Sequence, residues 1–144
     1  MTPLYDVFNL WASLIKDTDL EKLSNEDLFE LSKVYYQFAA TRFKECKKDL
    51  NLTTNEDNET YIVDELTLEE KTIIATGMVY YWLESKVNYN KLMKNQINTK
   101  DYNQLSNANI LLRLSELLDY YREEFFRRRK GYSALYPKDW EGWS

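Results

Sequence analysis

The chain has 144 residues and a mass of 17.4 kDa, close to the commonest size of a single domain, and 44% of its residues are hydrophobic. Its 3 glycines and 2 prolines are too few for the turns of a β-sandwich or barrel, so we expect an all-α, single-domain bundle of four to five helices with an extended C-terminal tail. The absence of histidine and the single cysteine exclude histidine-based triads, Cys/His zinc sites and an intrachain disulfide. The net charge of −5 argues against a dedicated duplex-DNA-binding domain.

The charge is divided unevenly along the chain. Residues 1–72 carry 8 basic and 16 acidic groups, whereas residues 73–144 carry 11 basic and 8 acidic groups. Opposite charges attract, so we expect the two halves to attract each other or the matching halves of other copies. The 12 tyrosines, 6 phenylalanines and 4 tryptophans exceed the needs of a small core, and such residues are enriched at protein interfaces.

The sequence lacks the motifs of several common catalytic and phosphate-binding sites. Glycine occurs only at 77, 131 and 142, which excludes a Gly-rich phosphate-binding loop, and no nucleophile elbow occurs. We therefore expect no enzyme, no catalytic residue, no metal and no cofactor. No apolar run approaches the roughly 18 residues of a membrane span, and residues 1–16 lack the pattern of a signal peptide. We expect a soluble protein that is made in the cytoplasm and has no membrane contact.

Two amphipathic helices are predicted before residue 50. The first begins at Thr2-Pro3 and ends near Lys16, and the second begins after an N-cap at Ser24. Cys46 falls on the apolar side of the second helix, so we expect a small buried hydrophobic residue rather than a nucleophile. The apolar positions of these helices recur every three or four residues: Tyr5, Phe8, Trp11 and Ile15 in the first, and Leu28, Leu31, Tyr35, Phe38 and Arg42 or Phe43 in the second.

Residues 51–66 form a polar, acidic stretch without an apolar period, and we predict an exposed acidic loop there. The ligand spacing and central glycine of an EF-hand are missing. The short run 61–63 fits either a strand or an anchor that fixes the loop to the core, and we assign no sheet from it.

The third helix begins at a capping box, Thr67 to Glu70, and is so apolar that it should be central in the bundle. Gly77 in its middle predicts a close crossing by a neighbouring helix. We expect a kink after Glu84, a short further helix to about Ile97, and a turn over 98–102.

The last helix is predicted to begin at an N-cap on Ser106 and to end at Gly131 in a left-handed conformation. Its apolar residues follow a short heptad seam with a second apolar flank, which favours packing inside a bundle. The predicted core residues of the third and last helices are Ile74, Met78, Tyr81, Trp82, Leu114 and Leu118. The helical bundle domain is thus expected to span residues 1–131.

A basic cluster, Arg127, Arg128, Arg129 and Lys130, precedes the predicted helix end. Basic side chains there are typical of helix-dipole and solubility effects, and phosphate contact is the alternative. Residues 132–144 are rich in aromatics, unlike a disordered tail, and we predict a docking segment; folding back over its own bundle is the alternative. The predicted partner-binding residues are Tyr132, Leu135, Tyr136, Trp140 and Trp143.

Four stretches carry a resemblance to a known family: Leu66–Leu83, Thr99–Tyr102, Ser106–Asn109, and the leucine-rich helix that ends in Gly131-Tyr-Ser133. Together they cover about half of the chain, and they hold packing and capping residues rather than a catalytic motif. In these stretches the chain resembles the head-to-tail adaptor, or neck, proteins of tailed phages that infect Gram-positive hosts.

The resemblance implies a structural virion protein at the neck, the head-tail interface. Such adaptors form a ring, commonly of twelve copies, beneath the portal protein, continue the DNA channel and contact other neck or tail proteins. Genomic DNA would pass through without sequence specificity, and the basic cluster at 127–130 would face this DNA or a neighbouring subunit. The alternatives are a small helical protein-binding module, from a phage or for a host protein, and a tail or baseplate component.

Overall fold

The structure is a computed structural model that describes residues 1–15, 25–96 and 101–135. These residues form four helices: α1 (Leu4–Leu14), α2 (Asn25–Arg42), α3 (Leu68–Gln96) and α4 (Asp101–Leu135). The mainly helical fold is therefore confirmed. A small antiparallel sheet accompanies the helices, so the all-α description is too simple.

The sheet has three short strands, β1 (Thr2–Pro3), β2 (Leu52–Thr54) and β3 (Thr60–Ile62), in the order β1-β3-β2. The β2–β3 hairpin turns at Asn58, which has a φ of 62°. Ile62 is fully buried and β3 packs against α1, so the exposed loop predicted over 51–66 is wrong for the strands, whereas the turn at 56–59 is exposed as predicted. Of the two alternatives for the run 61–63, the structure shows the strand. The strands are too short to show a period of two, which is why the pattern misses them.

Helix α1 packs its apolar side onto α3. Phe8, Trp11 and Ile15 are buried as predicted, whereas Tyr5 points outward and is exposed. Helix α2 begins at Asn25, close to the predicted start, and ends at Arg42. Cys46 lies four residues beyond the end of α2, so its predicted place on the apolar side of that helix is wrong, but its predicted burial is confirmed.

Helix α3 contacts each of the other three helices, which confirms its predicted central position. The capping box is also confirmed: the Thr67 N–H donates to Glu70 Oε1 at 2.8 Å, and the Glu70 N–H donates to Thr67 Oγ1 at 3.2 Å. The helix runs without interruption to Gln96, so the separate short helix predicted after Glu84 is the last part of α3. Packing of α3 against α4 supports the helix despite its asparagines, which are weak helix formers.

Gly77 marks the crossing of α3 with α4. A Cβ atom at this position would lie 2.6 Å from the ring of Phe125 and 3.0 Å from Cβ of Ala39. These distances are shorter than van der Waals contact, so only glycine allows this approach. The close crossing predicted from the sequence is confirmed.

Helix α4 differs from its prediction at both ends. It begins at Asp101, before the predicted cap at Ser106, and it continues through Gly131 to Leu135, with no left-handed glycine in the described residues. Burial of Tyr132 against α3 and the 43–50 segment keeps the last turn helical. Of the predicted core, Ile74, Met78, Trp82 and Leu118 are buried, whereas Tyr81 and Leu114 are only half-buried.

Candidate functional site

A buried carboxylate, Glu70, ties three parts of the fold together. Only 2% of this residue is exposed. Its Oε1 accepts hydrogen bonds from Lys48 Nζ at 2.7 Å and from the Thr67 N–H at 2.8 Å. Its Oε2 accepts one from the Tyr132 hydroxyl at 2.7 Å and a longer one from Cys46 Sγ at 3.7 Å. We call these five residues the Glu70 cluster.

The pKa shifts in the Glu70 cluster are those expected of a group that stabilises the fold. Burial acts to raise the pKa of Glu70, but the hydrogen bonds from Lys48, Thr67 and Tyr132 outweigh it and hold the pKa below its usual value. Burial, followed by the hydrogen bond to Glu70, raises the pKa of Tyr132. Burial also raises the pKa of the Cys46 thiol, which keeps it protonated and weakly nucleophilic. The cluster is therefore closed, with its charge neutralised by Lys48.

Tyr132 consequently belongs to the interior of the protein. Its ring packs edge-on against Phe43 with 5.0 Å between the ring centroids, and 6% of the residue is exposed. The prediction that Tyr132 belongs to an exposed docking segment is wrong, because its hydroxyl donates a hydrogen bond to the buried Glu70. Leu135, the last residue of α4, is exposed. Tyr136, Trp140 and Trp143 lie outside the described residues.

An open groove of about 350 Å³ lies where the end of α2 meets α3 and α4. Three guanidinium groups, one carboxylate and four aromatic rings share this surface, which we call the Arg/aromatic groove. Its lining residues are Arg42, Tyr80, Tyr81, Arg122, Glu123, Phe125, Phe126 and Arg129.

The arginines of the Arg/aromatic groove lie over aromatic faces. Cζ of Arg129 is 4.5 Å from the ring centroid of Phe125 and 5.9 Å from that of Phe126. Cζ of Arg122 is 5.7 Å from the centroid of Tyr80. A guanidinium within about 6 Å of a ring face is attracted by the ring quadrupole. The groove thus presents cations that are fixed in place on an apolar base.

The structure separates the members of the predicted basic cluster. Arg127 and Arg128 pair with Glu124 on the same helix, at 2.6 and 3.0 Å, and the hydrogen bond from Arg127 holds the pKa of Glu124 below its usual value. Arg129 instead points into the groove, where its Nη1 donates to the carbonyl of Arg42 at 2.8 Å. Nζ of Lys130 lies 4.7 Å from the ring centroid of Phe126.

Sequence reasoning missed Arg42, Tyr80 and Arg122 as members of a site. Arg42 and Tyr80 come from α2 and α3, far along the chain from the basic cluster, and no local pattern links them to it. Arg122 had a usable signal, because it precedes Arg129 by seven residues and therefore shares its face of a helix.

A second groove, of about 540 Å³, has the opposite charge. It lies where α1 meets the start of α2, and its two rings, Tyr5 and Phe29, lie with their centroids 6.2 Å apart. We call it the acidic groove; its lining residues are Tyr5, Glu26, Asp27, Phe29 and Glu30.

Comparison of the chain with protein families, with curated proteins and with solved structures gives no match. Within the described ranges, no three side chains of the Cys, Asp or Glu type are grouped so as to hold a metal ion. None of the helices in the same ranges is long and apolar enough to cross a membrane.

Proposed function

We propose that this chain is a structural, non-enzymatic virion protein, a head-to-tail adaptor subunit that forms a ring beneath the portal, continues the DNA channel and joins capsid to tail. The observation that carries the proposal is the pair of oppositely charged aromatic grooves on one small subunit. The family resemblance of the sequence suggests the location at the virion neck. The two grooves suggest how copies of the subunit bind each other.

The two grooves are built from different elements, one mainly from α4 and the other from α1 and α2. When one patch of a subunit binds a different patch of the next, the contact is heterologous and generates a closed ring or an open filament. Opposite charges on the two patches favour this pairing over contact between like patches. A ring of twelve copies is the expected closed form.

Exposed apolar side chains along the helices support a protein that is built into an assembly. Tyr120 is 57% exposed and Phe126 is 51% exposed, both on α4. Clusters of exposed aromatic and aliphatic side chains usually mark contact surfaces. Other large hydrophobic residues that are exposed in the described helices are Tyr5, Leu14, Val34, Phe38, Leu68, Tyr89, Leu112 and Leu135.

The expected partners follow from this setting. A further copy, the portal protein and other neck or tail proteins would contact the subunit, with Leu135, Tyr136, Trp140 and Trp143 as the proposed partner-binding residues. Genomic DNA would pass along the channel without sequence specificity. Because Glu124 neutralises part of the charge of Arg127 and Arg128, we favour a neighbouring subunit over DNA as the contact of the basic cluster.

A small helical module that binds one host protein is the second candidate, and the same groove favours it. Both functions use an aromatic surface, but they differ in stoichiometry. A tail or baseplate component is a variant of the first proposal with a different neighbour.

The test is the mass of the protein in solution together with electron microscopy in the presence of a portal ring. The adaptor proposal predicts a closed multimer, or a monomer that assembles as a ring on the portal. A protein that stays monomeric and does not bind the portal ring contradicts it.

A further inference from the structure

The Arg/aromatic groove has more donors than acceptors. Arg42, Arg122 and Arg129 line it, against the single carboxylate of Glu123. The Nε atom of Arg129 is buried without a hydrogen-bond partner among the described residues, and Nη1 of the same side chain lies 4.0 Å from Oε1 of Glu45. Arg42 and Arg122 are exposed, so their guanidinium groups can donate to the carboxylates of an occupant. The groove is therefore suited to an occupant with acidic side chains.

The same groove has an apolar base that suits aromatic side chains. The rings of Tyr80 and Tyr81 lie with centroids 4.8 Å apart on α3, and Phe126 on α4 is half exposed. Aromatic rings pack well against other rings and against guanidinium planes. An occupant that satisfies both requirements is a short peptide in which acidic and aromatic residues alternate.

Residues 136–144 of this chain have that composition. Within them, Asp139, Trp140 and Glu141 are consecutive, and Trp143 follows. We propose that the Arg/aromatic groove of one copy binds residues 136–144 of a second copy. The inference rests on the proposed function for the existence of an assembly. It assigns the contact of the Arg/aromatic groove to this acidic, aromatic segment of the next copy instead of to direct contact with the acidic groove.

The proposed assembly, rather than chain geometry, favours a second copy over the same chain. Leu135 lies six residues beyond Arg129, a rise of about 9 Å along α4, so the groove lies near the end of this helix. Nine fully extended residues span about 30 Å at most, which is enough to reach the groove of a neighbouring subunit, and the cross-linking experiment distinguishes the two copies.

The carboxylates near the groove favour a peptide over a nucleic-acid strand. Glu123 lines the groove, Asp119 pairs with Arg122 at 3.1 Å, and Glu84 accepts a hydrogen bond from Tyr80 at 3.0 Å. A strand carries a phosphate at every nucleotide and meets these carboxylates along its length. A peptide with two acidic residues beside a tryptophan places its charges only at the arginines.

Photo-crosslinking of the full chain tests the contact. The photoreactive residue p-benzoylphenylalanine replaces Trp140, and equal amounts of ¹⁴N- and ¹⁵N-labelled protein are mixed and irradiated. Mass spectrometry then identifies the linked peptides. We expect links between differently labelled copies, to residues 122–129 or 80–81. Links within one copy, links to the acidic groove or elsewhere, or loss of the link when a single-stranded oligonucleotide is added would overturn the proposal.

Matched charge variants sharpen the test. Arg122→Glu should lower the cross-link yield at least tenfold, and Arg113→Glu, an exposed control on the same helix, should leave it unchanged. Replacing Asp139 and Glu141 by lysine in the Arg122→Glu chain should restore much of the yield. Equal yields from the two arginine variants contradict the proposal.

The mass of the assembly is measured in the same samples. This measurement distinguishes failure of the proposed groove contact from failure of the proposed function. A ring that forms while the cross-links lie elsewhere refutes this contact and leaves the proposed function intact. A protein that stays monomeric and does not bind the portal ring refutes both.

Discussion

The Glu70 cluster and the Arg/aromatic groove both join α3 to α4, and both are made of tyrosines and charged side chains, yet they differ in how their polar atoms are satisfied. In the Glu70 cluster, one buried carboxylate accepts hydrogen bonds from Lys48, Thr67 and Tyr132. In the groove, three guanidinium groups lie on aromatic faces with one carboxylate in the lining. One region is closed and the other is open.

The difference separates stability from recognition. Hydrogen bonds among these groups hold the start of α3 and the end of α4 to the 43–50 segment, and removing Glu70 takes away the acceptor that Lys48, Thr67 and Tyr132 share. The groove adds less to folding, because two of its three cations, Arg42 and Arg122, remain accessible to solvent. Its exposed donors and rings are available to another chain.

The largest effect is expected from breaking the Glu70 cluster. Glu70→Ala should lower the free energy of unfolding by about 3 kcal/mol, because it removes the capping box and leaves Lys48 and Tyr132 without their acceptor. Glu69→Ala, in the exposed neighbouring position, should change it by less than about 0.5 kcal/mol. Urea unfolding measures the free energy of unfolding of both variants. Similar losses in the two variants would contradict a stabilising role of the Glu70 cluster.

The two glycines of the described helices should respond in opposite directions. Gly77→Val should cost about 2 kcal/mol, because its side chain overlaps Phe125, which lines the groove. Gly131→Ala, next to Tyr132, should stabilise by about 0.5 to 1 kcal/mol, since nothing lies within 4 Å of its added Cβ and the residue is helical. Thermal unfolding of both variants measures this contrast; a destabilised Gly131→Ala chain would show that α4 does end at this residue.

Acid should act on the Glu70 cluster in a defined direction. The pKa of Glu70 is lower in the folded chain than its ordinary value of 4.5, so below that pH the unfolded chain takes up the proton more readily. The stabilisation from Glu70 is thus fully present above about pH 4.5 and is lost as the pH falls through the lowered folded pKa. Unfolding free energies between pH 3 and 7 should fall less steeply for Glu70→Gln than for the wild type. If the unfolding free energies of the two proteins fall equally with pH, Glu70 is not an ionised hydrogen-bond acceptor in the folded chain.

The smallest effect on stability is expected in the groove. Arg122→Glu and its control Arg113→Glu should each change the free energy of unfolding by less than about 0.5 kcal/mol, because both side chains are exposed. Circular dichroism during urea titration checks this. A loss above 1 kcal/mol for Arg122→Glu alone would place the groove among the structural contacts of the fold.

Local signals predicted the parts of the fold that depend on neighbouring residues. The Thr67–Glu70 capping box and the close crossing at Gly77 were both readable from a few residues. The sheet was not, because Thr2 pairs with Ile62 across most of the N-terminal half and no short window contains both. The predicted helix end at Gly131 is wrong for a similar reason, because Glu70 and Phe43, which are distant in sequence, hold Tyr132 in place.

The candidate site was predicted only in part. The basic cluster at 127–130 predicts a contact surface at the C-terminal end of α4, and one of its residues, Arg129, lines the groove. Arg127 and Arg128 do not, because Glu124 one turn earlier on the helix pairs with them. Arg42 and Tyr80 reach the groove only through the packing of α2 and α3 against α4, which sequence spacing does not encode.

Sedimentation velocity of the wild type, Arg122→Glu and Arg113→Glu at matched concentrations, each alone and mixed with the portal ring, tests most directly whether the groove serves assembly. We expect the wild type and Arg113→Glu to associate, either alone or on the portal ring, whereas Arg122→Glu sediments as a folded monomer under both conditions. Identical sedimentation of all three proteins under both conditions would contradict this role of the groove.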